Sequence, residues 1–107
     1  MIIYNVTVNI DESIHEEWLS WIKNHIPEVL ATGKFIEAKL TKVLVKEEMG
    51  GITYSIQYRA KSREDLDNYY KFDAEKLKSE GLLKFSDKML AFRTELEIID
   101  EYSVTQN

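Results

Sequence analysis

No cysteine occurs anywhere in the chain. Disulfides, thiolate metal sites and cysteine nucleophiles are therefore excluded. A cysteine-free chain fits a reducing cytoplasm, and a cytoplasmic location is expected. Positive charge is in deficit: 14 basic residues against 19 acidic ones leave a net charge of −5. Nonspecific binding to nucleic acid needs a clustered positive surface. The longest basic run, "KLTKVLVK", spaces its lysines along a strand and is answered at once by Glu47 and Glu48. No nucleic-acid partner is expected. Long apolar runs are missing too. No window approaches the ~18 uninterrupted apolar residues of a membrane span. The start "MIIYNVTVNIDE" has no basic region, long apolar run or small-residue cleavage site, so it is not expected to be a signal peptide. Glycine is scarce as well. Gly50 and Gly51 carry a turn signal, and no phosphate-binding loop pattern occurs.

What is present is a strong alternation of apolar and polar residues. The balance of 44% hydrophobic and 31% charged residues is that of a folded chain rather than a disordered one. The length of 107 residues suits one domain with a modest core. Residues 1–102 are expected to form that domain, and 103–107 a polar tail.

Residues 2–10 read as a strand, with Ile2, Tyr4, Val6, Val8 and Ile10 opposite Ile3, Asn5, Thr7 and Asn9. "DESIHEE" then opens a helix, with Asp11 or Ser13 as cap and Glu16 at capping-box spacing from Ser13. Ile14, Trp18, Trp21, Ile22 and His25/Ile26 follow at helical intervals. Pro27 should end or kink this helix, "PEVLATG" can add a turn or two, and Gly33 reads as its stop. A second strand is expected over about 35–46, with Ile36, Ala38, Leu40 and Leu44 on its apolar side. "VLV" at 43–45 is apolar on both sides, which predicts double cover or a bulge. The turn signal "EMGG" and the strictly alternating "GITYSIQYRA" (51–60) complete a β-hairpin. Ser62 and Asp65 open a second helix whose stripe is Leu66, Tyr69, Tyr70, Ala74 (or Asp73) and Leu77, broken at Gly81. "LLKFSDK" reads as a loop with room for a short extra turn. "MLAFRTELEII" reads as the last strand, with Leu90, Phe92, Leu96 and Ile98 inward and Arg93, Glu95 and Glu97 outward.

The order β-α-β-β-α-β is the ferredoxin-like pattern. It implies an α+β fold: a four-stranded antiparallel sheet with two helices on one face. The helix-free face should then carry Asn5, Thr7, Asn9, Glu37, Lys39, Thr41, Ser55, Gln57, Arg59, Arg93, Glu95 and Glu97. Such a face can be solvated and held by cross-strand charge pairs. Yet Ile3, Phe35, Val43, Val45, Met89 and Ile99 are expected on or beside it and do not suit full exposure. Sheet-to-sheet pairing of two copies would cover them.

Three segments carry a resemblance: "MIIYNVTVNID", "WLSWIKNHIPEVLATGKF" and "FRTELEIIDEY". Through them nearly the whole chain resembles a family of short bacterial proteins of uncharacterised function. The resemblance implies the dimeric α+β barrel version of the ferredoxin-like fold, and hence a homodimer packed through the sheet face. The wider barrel superfamily includes cofactor-independent monooxygenases, haem-degrading enzymes, small isomerases and ligand-binding domains without chemistry, and fold alone cannot choose among them. Haem-degrading members have an Asn on the first strand, where Asn5 stands. They also carry a His ligand on the second helix, and residues 62–80 hold no His. No haem or other cofactor is expected.

His15 and His25 are the only histidines. They lie about a thousand degrees of helical rotation apart at ~100° per residue, so they cannot share one ion. Both read as surface histidines, and no metal site is expected. Trp18 reads as core; Trp21 reads as core or contact surface. Tyr69 and Tyr70 read as packing residues. No Ser-His-Asp set can be built by spacing. The candidate ligand site is Asn5, Gln57, Arg59, Arg93 and Glu95. An Arg in a covered face can hold a carboxylate or phosphate through paired bonds, and a Glu beside it can act as a base if burial raises its pKa. The bland alternative is a self-neutralising Arg–Glu pair. The chain therefore reads as a homodimeric ligand- or partner-binding module without a specific catalytic motif. A cofactor-independent barrel enzyme and a purely structural or regulatory dimer are the alternatives.

Overall fold

The computed structural model describes residues 1–46, 48 and 50–105. Its elements run β1 (Ile2–Ile10), α1 (His15–Leu30), β2 (Glu37–Lys42), β3 (Ile52–Ala60), α2 (Arg63–Phe72), α3 (Ala74–Phe85) and β4 (Met89–Glu97). The sheet order is β2-β3-β1-β4, antiparallel throughout. This is the ferredoxin-like α+β arrangement, with three helices rather than two. All three pack on one face. Trp18, Ile22 and Val29 of α1, Leu66 and Tyr69 of α2, and Leu77 and Phe85 of α3 close over Tyr4, Val8, Ile10, Tyr54, Ile56 and Tyr58 of the sheet.

The helix starts follow their expected chemistry. Asp11 Oδ1 accepts from the Ser13 N–H at 2.9 Å, in a single 3₁₀ turn at Glu12–Ile14 that leads into α1. Ser62 Oγ accepts from the Asp65 N–H at 3.1 Å and caps α2. Pro27 does not end α1. It lies in the last turn with Lys23, four residues earlier, also exposed, so the carbonyl it leaves unpaired faces water. The expected second helix is two helices, broken at Asp73 rather than at Gly81. Asp73 leaves the helical conformation and pairs with Lys34 Nζ at 3.2 Å. Gly81 is buried inside α3, where a Cβ would stand 3.0 Å from both Trp21 and Met89, so its small size lets Trp21 seat. "LLKF", expected as loop, completes α3.

Strand β2 is shorter than the expected 35–46. Phe35, expected on or beside the open face, is buried; its ring stacks on Tyr4, tilts against Tyr58 and meets Tyr69 edge-on. Leu44 and Val45 are exposed rather than doubly covered. In the hairpin, Gly51 has φ +76° and sits where a Cβ would strike Asn9 Oδ1 and Ile10 O at 2.7 Å. Met49 of the expected turn, Glu47, and the last two residues of the expected tail lie outside the described residues.

The largest departure is the facing of β4. Its register pairs Ile10 with Met89, Val8 with Ala91, Val6 with Arg93 and Tyr4 with Glu95. Directly opposed residues share a face, so Met89, Ala91, Arg93 and Glu95 lie on the helix side. Leu90, Phe92 and Leu96 lie on the open side, about half exposed or more. The Asp11 N–H donating to Lys88 O at 2.9 Å fixes that phase at the strand's start. As an edge strand only partly roofed by helices, β4 turns its more apolar side away from its own core.

Candidate functional site

The five expected ligand residues do not form one cluster. The sheet separates them. Asn5, Gln57 and Arg59 are on the open face, and Arg93 and Glu95 are on the helix face. Asn5 belongs to a polar ladder: it accepts from Ser55 Oγ at 2.6 Å and donates to Thr7 Oγ1 at 3.2 Å and Thr94 Oγ1 at 3.3 Å. Arg59 is neutralised by Glu101, which the segment after β4 brings across the open face, and by Glu37 at 3.6 Å. Gln57 lines the shallow depression beside them.

Glu95 is also committed. Arg63 reaches it at 2.7 Å, and Tyr70 donates to it at 2.5 Å. The Arg63 hydrogen bond, then the Tyr70 one, hold its carboxyl at about 2. It is an ionised structural acceptor, not a base. A carboxyl depressed in the folded state stabilises the fold fully above its ordinary value of 4.5 and loses that contribution as pH falls toward 2. Glu95 is 39% exposed, so solvent keeps the effect small. Between pH 4.5 and 2 the melting temperature should fall less steeply in Glu95→Gln than in the unsubstituted chain. Equal slopes would remove this network from the acid response.

Arg93 is different. It stands at the mouth of a cavity of about 60 Å³ between the sheet and helices α1 and α3. One water needs roughly 10–15 Å³ on that measure, so the space takes a group of a few heavy atoms. The walls are apolar or aromatic, including Val6, Ile56, Trp21, Leu77, Met89 and Ala91. The polar groups are few. Among the described residues, three buried side-chain polar atoms lack a hydrogen-bond partner: Tyr4 Oη, Trp18 Nε1 and His25 Nδ1. All three residues line this cavity. Interior polar atoms are normally paired; the Tyr4 hydroxyl and the Trp18 indole N–H are not, whereas His25 Nδ1 has the Glu80 carboxylate within ion-pair distance.

The electrostatics of the cavity are set by burial. Burial raises the Tyr4 hydroxyl, with nearby Arg93 opposing, and it raises Tyr58 and Tyr69 further. These hydroxyls stay protonated and able to donate. His25, expected at the surface, has a side chain only 11% exposed and stacks on Trp21 at 4.4 Å. Burial lowers its pKa, with Glu28 opposing. Its Nδ1 is 3.5 Å from Glu80 Oε2, short of a formed hydrogen bond, and with Glu28 the three side chains could hold a cation. Glu28 is exposed, and exposed acidic groups often sit together without an ion. His15 is engaged elsewhere, 2.6 Å from the Tyr54 hydroxyl.

Sequence reasoning names Arg93 as a ligand candidate but places it on the opposite face of the sheet, and it does not single out Tyr4, Trp18, His25 or Lys78 as cavity residues. For His25 the signal existed: it continues the Trp18–Ile22 stripe toward Val29. For Lys78, one residue past Leu77 in α3, no sequence signal separates it from an ordinary surface lysine.

Comparisons with known proteins agree on the fold. A dimeric ferredoxin-like protein from an uncultured marine organism superposes with a TM-score of 0.72 at 10% identity, covering 94% of this chain and 97% of its own. A second dimeric ferredoxin-like protein from an uncultured marine organism gives 0.69 at 14%, covering 97% and 100%. Hydroxynitrile lyase from Passiflora edulis gives 0.60 at 14%, covering 94% and 97%. Identities this low establish fold and not activity. No curated protein matches the sequence. The family model described as Domain of unknown function (DUF4286) matches residues 1–99, and the chain belongs to that family.

Proposed function

We propose that this member of the DUF4286 family is a homodimeric module that binds a small molecule between its sheet and its helices. The observation that carries the reading is that Tyr4 and Trp18, each with a buried polar atom that has no hydrogen-bond partner, line one cavity. An occupant bearing polar atoms would satisfy them; an empty cavity would leave each at a cost of ~1–3 kcal/mol. The dimer is supported by the apolar side of β4 on the open face and by the two dimeric neighbours of the same fold. In this arrangement the two faces of the sheet have separate tasks. The open face meets the second copy, and the helix face holds the ligand.

A thermal-shift panel of small apolar and aromatic compounds tests the reading, because a ligand that binds only the folded state raises its melting temperature with concentration. At least one compound should give a saturable rise. Ala91→Leu, which projects a larger side chain into the cavity, should abolish that rise without changing the molar mass in solution. A panel without response, or a response that survives Ala91→Leu, would leave a purely structural dimer.

A further inference from the structure

Two cations flank the cavity mouth, Lys78 from α3 and Arg93 from β4. Among the described residues neither has a carboxylate oxygen within ion-pair distance. Four other cations do: Lys34 has Asp73, Arg59 has Glu37 and Glu101, Arg63 has Asp67 and Glu95, and Lys84 has Glu17. Among the described residues Arg93 is thus the arginine without an ion pair, the other two being Arg59 and Arg63. The two side chains also oppose each other. Burial lowers the Lys78 pKa, and the charge of Arg93 lowers it further. Arg93 acts in the same way on the buried hydroxyls of Tyr4, Tyr58 and Tyr69, favouring their negative forms. Its field therefore reaches into the cavity, and a negative group there would be stabilised by both cations at once.

We propose that the ligand is a small amphiphilic carboxylate, its apolar body in the cavity and its carboxylate at the mouth between Lys78 and Arg93, beside the Tyr4 hydroxyl. This rests on the reading of the cavity as a ligand site. The chemistry of each part fits. The guanidinium can hold two carboxylate oxygens in parallel, and the ammonium adds a point charge. The neutral phenol of Tyr4 lies close to Arg93 but forms no complete hydrogen bond, so its proton is left to donate. The walls below are apolar or aromatic and offer the body of the ligand dispersion contacts instead of hydrogen bonds. The volume of about 60 Å³ limits that body to a short acyl chain or part of one ring.

The test is a calorimetric titration with butyrate and benzoate against their uncharged amides, butyramide and benzamide, and against inorganic phosphate. The acids should bind at least ten-fold more tightly than the amides. A charge-assisted hydrogen bond contributes ~1.5–3 kcal/mol, so Lys78→Met and Arg93→Met should each weaken acid binding by roughly 10–150-fold while leaving the amides unchanged. Lys78→Arg should restore much of the loss. Arg93 is exposed and Lys78 half-buried, so both variants should keep the parent's circular dichroism. If the amides bind as well as the acids, or the variants leave acid affinity intact, the charge assignment is overturned while the cavity remains a ligand site. If phosphate alone binds, the carboxylate assignment is overturned. If neither acids nor amides bind, the inference and the ligand-site reading fall together.

Discussion

Replacing Phe92 by Glu is expected to turn a dimer into a monomer across the micromolar range. Phe92 is 60% exposed on the open face, between Leu90 and Leu96 on the same side of β4. It is the largest apolar side chain of that patch. An aromatic anchor at the centre of an interface is commonly worth ~2 kcal/mol or more. In a two-fold dimer the same patch contributes from both copies, so one substitution acts twice. The dimer should lose about 4 kcal/mol, or roughly a thousand-fold in dissociation constant. Two introduced carboxylates facing each other would add to the loss. Light scattering behind size exclusion, over a wide dilution range, reads the result. Thermal stability of the monomer should change little, because Phe92 contributes nothing to the chain's own core. A parent chain that is already monomeric at high concentration would rule out the sheet-face dimer, and the patch would need another explanation.

Replacing Trp18 by Ala should be the most damaging single change to the fold. Trp18 is fully buried and lies 4.9 Å from Tyr54, ring centre to ring centre. Truncating a buried Trp typically costs ~3–5 kcal/mol through lost contacts and the space left behind. A domain of this size has only ~5–15 kcal/mol in total. The expected drop in melting temperature is roughly 12–40 °C, with a matching fall in the urea midpoint at nearly unchanged slope. Trp18→Phe separates two contributions. It keeps most of the aromatic volume and removes the unpartnered Nε1, so it should cost far less than the alanine variant. A similar loss for both would mean that the indole N–H has a partner after all, and that the cavity is wet on that side.

Much of the fold was legible in local pattern. The alternation of 2–10 and 51–60 and the stripe of Ile14, Trp18 and Ile22 each follow from residues a few positions apart, as do the caps at Asp11 and Ser62. Those periods dictate strand or helix whatever lies beyond. The order of elements then leaves few ways to connect them, and the ferredoxin-like sheet follows. The facing of β4 was not legible. Leu90, Phe92 and Leu96 lie on the open face and Arg93 and Glu95 on the helix face, the reverse of what their polarity suggests. Alternation reports that the two sides of a strand differ; it does not report which side is the chain's own interior.

The candidate site divides along the same line. Arg93 is visible in the sequence at once as a cation on a strand. Its companions are not. Tyr4, Trp18, His25 and Lys78 come from three different elements, and only the closing of α1 and α3 over the sheet makes them neighbours. Asn5, Gln57 and Arg59 were grouped with Arg93 and Glu95 on a one-residue choice of phase, and a side-chain period of two sends such a choice to the opposite face. The sequence by itself determined the elements, their order and the excess of apolar surface. Register and helix cover, set by contacts between residues far apart in the chain, decided which surface faces inward and which residues meet.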